Sequence, residues 1–94
     1  MVFSEEAVRQ YKRIRRAVRP LIKDAIRIQL LEGNPTQTTR NKFRLRRPSE
    51  FADYGLRERD YRIFYRVQAD EVIVTLLGEE RGDKLIVGGE EILL

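Results

Sequence analysis

Neither cysteine nor histidine occurs anywhere in this chain of 94 residues. Without cysteine there is no disulfide framework, which fits a reducing compartment. Zinc loses its usual ligands, and Ser-His-Asp or Cys-His catalysis is excluded. Any proton transfer must run through Asp, Glu, Lys, Arg or Tyr. No apolar run reaches the about 18 residues of a transmembrane helix, and the opening MVFSEEAV lacks the basic-then-apolar order of a signal peptide. These absences predict a cytosolic protein with no cofactor or metal. The length predicts a single domain over residues 1–94 with one modest core.

The charge that is present is divided unevenly. Residues 1–47 hold 13 Lys and Arg against 4 Asp and Glu, a net of +9, while residues 48–94 hold 6 against 11, a net of −5. A basic half of this kind attracts polyanions, nucleic acid first. The plain alternative is a solvated basic face that keeps the protein soluble.

Ser4 is placed as an N-cap, with Glu5 and Glu6 in the first helical turn. Val8, Tyr11, Ile14 and Val18 recur at helical spacing among Arg9, Lys12, Arg13, Arg15, Arg16 and Arg19. Pro20 suits the first turn of a second helix. Leu21, Ile22, Ala25, Ile26 and Leu30 continue an apolar stripe towards a stop at Gly33-Asn34-Pro35. Residues 4–32 therefore predict two helices, or one kinked at Pro20, forming a hairpin over a sheet. From Lys42 the pattern alternates, predicting strands over Lys42–Arg46, Phe51–Arg57, Tyr61–Val67 and Val72–Leu77. Gly78–Lys84 reads as a charged loop, Leu85–Val87 as a short strand, and Glu90–Leu94 as a tail that packs. Short turns favour antiparallel pairing. The fold class is α+β, an N-terminal helix hairpin on a twisted, mainly antiparallel sheet of four to five strands.

Alternation along Tyr61–Val67 puts Tyr61, Ile63, Tyr65 and Val67 on one face and Arg62, Phe64 and Arg66 on the other. Arginine forks grip phosphates and an aromatic ring stacks a base, so Arg62, Phe64 and Arg66 are candidates for RNA binding. The ordinary alternative is that Arg62 or Arg66 pairs with Asp60, Asp70 or Glu71, and that Phe64 is core. Lys42, Arg44 and Arg46 extend the basic surface if their strand lies nearby. Arg81 and Lys84 sit where glycines flank a charged segment.

The order of helix hairpin, basic strand, LRERDYRIFYRV and VIVTLLGEERGDKLIV resembles the RelE/ParE superfamily of toxins from type II toxin–antitoxin systems. The sharpest piece is Leu56-Arg57, a short turn, then Asp60–Val67; the strand ending in Gly78 before a charged segment is the second. A RelE-like member is an endoribonuclease, an mRNA interferase that cuts messenger RNA in the A site of the small ribosomal subunit and stops translation. There the 2′-hydroxyl attacks the neighbouring phosphate. The resemblance implies Arg62 at the scissile phosphate, with Arg81 and Lys84 as its catalytic partners, and Arg57 joins the RNA-binding group. Lysines of some members fall near Asp53 and Gly55, and no tyrosine follows Tyr65 to match the family's late tyrosine. The implied partners are ribosome-bound mRNA and a cognate antitoxin, a heterotetramer being one form such a complex takes. Two alternatives stand beside the ribonuclease: a ParE-like inhibitor of DNA gyrase, and a non-catalytic module that binds RNA or antitoxin.

Overall fold

The computed structural model describes residues 1–46, 52–87 and 89–92. The turn expected at Arg47–Glu50, the strand start at Phe51, Gly88 and the final Leu93-Leu94 lie outside the described residues.

Strand β1 (Val2–Phe3) leads into helix α1 (Glu5–Arg13). Ser4 is the N-cap: its Oγ accepts from the Ala7 N–H at 3.1 Å, and Glu5 and Glu6 occupy the first turn. The helix stops at Ile14, whose backbone is extended, well before Pro20. The end is marked by a side-chain contact that apolar spacing does not reveal. Arg19 donates through Nε to the Ile14 carbonyl at 2.9 Å and through Nη2 to the Lys12 carbonyl, satisfying carbonyls at the helix end. The Tyr11 hydroxyl returns a bond to the Arg19 carbonyl at 3.2 Å. Helix α2 (Arg19–Ile26) then starts with Pro20 in its first turn and runs into a π-helical turn, Arg27–Leu31, closed by Glu32 N–H to the Arg27 carbonyl at 2.9 Å. That turn buries Leu30 and leaves Ile28 and Leu31 exposed.

The sheet continues through β2 (Lys42–Arg44), β3 (Tyr54–Glu58), β4 (Tyr61–Gln68), β5 (Glu71–Arg81), β6 (Lys84–Val87) and β7 (Glu90–Ile92). Neighbours β2 to β7 pair in sequence order and antiparallel, while β1 joins β5 in parallel. The α+β class and antiparallel sheet are as the sequence predicts. The sheet is wider, seven strands among the described residues, because the first residues and the tail both pair. Helices α1 and α2 pack chiefly on the sheet, α1 over β5 and α2 over β3, so the hairpin is loose and joined through Tyr11.

Two-residue turns set much of the register. Ala69 and Asp70 both have positive φ, 49° and 63°, the conformation of a tight hairpin turn. Gly82 (φ 64°) and Asp83 connect β5 to β6 with Arg81 opposite Lys84. The segment read as a charged loop is therefore mostly strand, with the reversal confined to Gly82-Asp83.

The helix side holds the main core, built on Ala7, Ile22, Ile26, Leu56, Ile63 and Val74, all at 0% exposure. A second, smaller cluster lies on the opposite face, where Phe64, Leu76, Val87 and Ala52 are buried with Phe43, Leu45 and Leu85 against them. Gly55 makes this possible, since a Cβ there would stand 2.3 Å from the Phe43 ring.

One buried polar side chain completes the sheet. β1 pairs with β5 only at Ile73 and Val74, and β6 only from Glu79 onward. In the interval, Ser4 Oγ donates to the Thr75 carbonyl at 3.1 Å, and Gln10 Oε1 accepts the Leu77 N–H at 2.6 Å. Gln10→Leu should therefore cost about 1–3 kcal/mol, because it leaves a buried N–H unpaired. Urea unfolding checks this, and wild-type stability in that variant would show the N–H satisfied by other means.

Candidate functional site

Arg62 lies in the middle of the sheet, opposite Arg57 on β3 and Gly78 on β5. Its guanidinium is fixed from three directions. Nη1 donates to the Arg59 and Tyr61 carbonyls, both at 2.8 Å, and Nη2 meets Glu80 Oε2 at 2.6 Å. The β3–β4 turn supplies the first carbonyl, with Arg59 held at a φ of 56°. The side chain is 14% exposed. Its ionic partner is thus Glu80, and neither Asp60, Asp70 nor Glu71. Glu80 escaped the sequence reading because it lies within the assumed loop; once β5 extends to Arg81, it falls two residues beyond Arg62's partner Gly78, on the same face.

Arg57 shares that face, exposed, with its guanidinium 4.4 Å from the Phe43 ring centroid. Arg66 follows on the same side by alternation and is half-buried. Phe64, between the two arginines of β4, is 3% exposed. Its ring packs in the second cluster and presents no free surface for a base.

Lys42 is 4% exposed and bonds two backbone carbonyls, Gln29 at 3.1 Å and Asn34 at 2.9 Å. It ties the end of the π-helical turn to the sheet edge and does not reach a surface ligand. Arg44 is exposed and opposite Tyr54, whose ring belongs to the helix-side core, so alternation places Arg44 on that side too. Arg46 is exposed just beyond β2. Lys42, Arg44 and Arg46 therefore do not join Arg62 in a continuous basic strip. The cations that share its face are Arg57 and Arg66.

Arg81 and Lys84 face each other across the β5–β6 turn. Arg81 Nε meets Glu79 Oε1 at 2.6 Å, and Lys84 Nζ lies 3.7 Å from Glu91. Alternation sets Glu80 on the Arg62 face and Glu79 with Arg81 on the helix face, where Arg81 borders a cleft with Gln10, Arg13 and Tyr61. Arg62 and Arg81 thus sit on opposite faces of the sheet and are not brought together.

Tyr65, the last tyrosine, is fully buried. Its hydroxyl donates to the Pro35 carbonyl at 2.6 Å, and its ring stacks on Tyr54 with centroids 5.5 Å apart. Burial, and then the neighbouring Tyr54 phenol, push its pKa upward, away from any role as a base. Among the described residues no three acidic side chains converge as metal ligands.

A loose helix pair on a largely antiparallel sheet, with Arg62 anchored on a central strand, is the architecture expected of the RelE/ParE superfamily. Comparison with protein families agrees: residues 1–82 match the model described as the ParE toxin of the type II toxin–antitoxin system parDE. The chain belongs to the ParE toxin family. Membership implies a cognate antitoxin as partner. No curated protein and no solved structure matches it. No helix among the described residues is long and apolar enough to cross a membrane.

Proposed function

We propose that this toxin arrests growth in the cytoplasm by binding DNA gyrase, and that it does not cut messenger RNA on the ribosome. The observation that carries the reading is the separation of Arg62 from Arg81 on opposite faces, each held by its own glutamate. Cleavage through a 2′-hydroxyl needs a base, a leaving-group acid and phosphate-stabilising cations gathered around one phosphorus. With no histidine in the chain, and Tyr65 buried on a carbonyl, the described residues offer no such gathering. A binder needs only a shaped surface.

The mRNA endoribonuclease reading keeps one observation in its favour, the common face of Arg57, Arg62 and Arg66. A pair of assays separates the two. Purified toxin should inhibit supercoiling by gyrase in vitro, and mapping of messenger RNA ends after induction should show no new A-site cuts. New ends with unimpaired supercoiling would replace the proposal with the ribonuclease. Neither effect, with antitoxin binding intact, would leave the non-catalytic module.

A further inference from the structure

A cleft of about 420 Å3 opens on the helix side between the end of α1 and the β5–β6 hairpin. Arg13 borders it from the last position of α1, Arg15 from the α1–α2 connection, and Arg81 from β5. Ile14, Leu77 and Ile86 supply apolar wall, and Tyr61, half-buried, adds an aromatic side chain. None of these groups was assembled by the sequence reading, because they come from three distant segments.

Three features give this cleft a ligand preference. First, its charge is cationic: Arg13, Arg15 and Arg81 line it, and among the described lining residues Glu79 is the acidic one, meeting Arg81 at Nε. Arg81 is tied to Glu79 through Nε, which leaves its two terminal amino groups to serve a ligand, and Arg15 is exposed at the cleft rim. Second, Gln10 is 8% exposed and borders the cleft, and its Oε1 is committed to the Leu77 N–H. With Oε1 so engaged, the carboxamide NH2 is the end of Gln10 that can donate to a ligand in the cleft. Third, the walls are largely apolar, and the volume falls within the roughly 300–1,000 Å3 of small-molecule sites.

We propose that this cleft binds a phosphomonoester carried on a flat apolar body, the chemistry of a nucleoside monophosphate or of a 5′-phosphorylated nucleic-acid end. Donors arriving from both sides suit a tetrahedral anion with several acceptor oxygens better than a planar carboxylate, which one arginine fork saturates. Tyr61 and the aliphatic wall take the ring. The site lies on the opposite face from Arg62 and does not depend on whether gyrase or mRNA is the target.

The test uses the intact toxin and amide NMR shifts. Adenosine monophosphate should shift Tyr61, Leu77 and Ile86 saturably. Adenosine should bind at least about tenfold more weakly, because the charged contacts are lost. Arg15→Ala with Arg81→Ala should weaken the nucleotide by about tenfold or more while thermal unfolding stays unchanged. An oligonucleotide compared with and without its 5′-phosphate then separates the sources. A phosphorylated strand binding more tightly than the nucleotide names the nucleic-acid end; the reverse names the free nucleotide. Shifts that never saturate, an unaltered titration in the double variant, or inorganic phosphate binding as well as the nucleotide would each overturn the proposal.

Discussion

Lys42→Met should destabilise this toxin by about 2–3 kcal/mol, the scale of hydrogen bonds made by a charged group. The Lys42 ammonium spans from β2 to the Gln29 and Asn34 carbonyls at 3.1 and 2.9 Å. Methionine fills similar space but donates nothing, so the Gln29 carbonyl loses the ammonium and the Asn34 carbonyl keeps only the Gln37 N–H at 3.3 Å. A domain of this size changes its Tm by roughly 4–8 °C per kcal/mol, so a thermal melt reads the effect directly. Toxicity per folded molecule should stay at the wild-type level, because the ammonium reaches no ligand. A variant with normal stability and lost toxicity would return Lys42 to the functional surface.

The second large effect concerns Tyr65. Tyr65→Ala should cost about 3–5 kcal/mol, the range for emptying a buried aromatic site, which is much of the about 5–15 kcal/mol that holds such a domain together. Tyr65→Phe keeps the stack on Tyr54 and loses only the bond to Pro35, for about 1 kcal/mol. The phenol also predicts a pH dependence. Its pKa is raised in the folded state, so the contribution is complete below the unfolded value of about 10 and diminishes as pH rises above it. Tyr65→Phe should flatten that part of the alkaline stability profile. An unchanged profile would show that Tyr65 ionises as freely folded as unfolded.

Local rules made much of this fold legible. Ser4, the alternation of Tyr61–Val67 and the short turns each carry their cause within a few residues, and each stands as expected. What was not legible depends on specific side-chain partners that spacing does not name. The end of α1 at Ile14 is set by the Arg19 guanidinium, so the apolar spacing through Val18 overruns it. Gln10 reads as one more polar residue on a basic helix until β5 supplies the N–H it accepts. Phe64 reads as exposed because one core was assumed; a second cluster, opened by the missing Cβ of Gly55, takes its ring. For the candidate site, the sequence marks Arg62 and Arg81, but the face each occupies depends on how far β5 extends, and Gly78 disguises that length as a loop.

The parallel pairing of Val2 and Phe3 with Ile73 and Val74 also imposes an order of assembly. Val2 and Phe3 cannot pair until Ile73 and Val74 are brought to them. Closing so long a stretch of chain is entropically costly and belongs to slow, non-local folding. While the toxin is being made, α1 has neither its sheet nor the Leu77 N–H that Gln10 accepts, so both await β5. The cleft beside α1 exists only after that closure. The whole helix-side surface therefore depends on one long-range closure, and a chain interrupted before β5 would lack it.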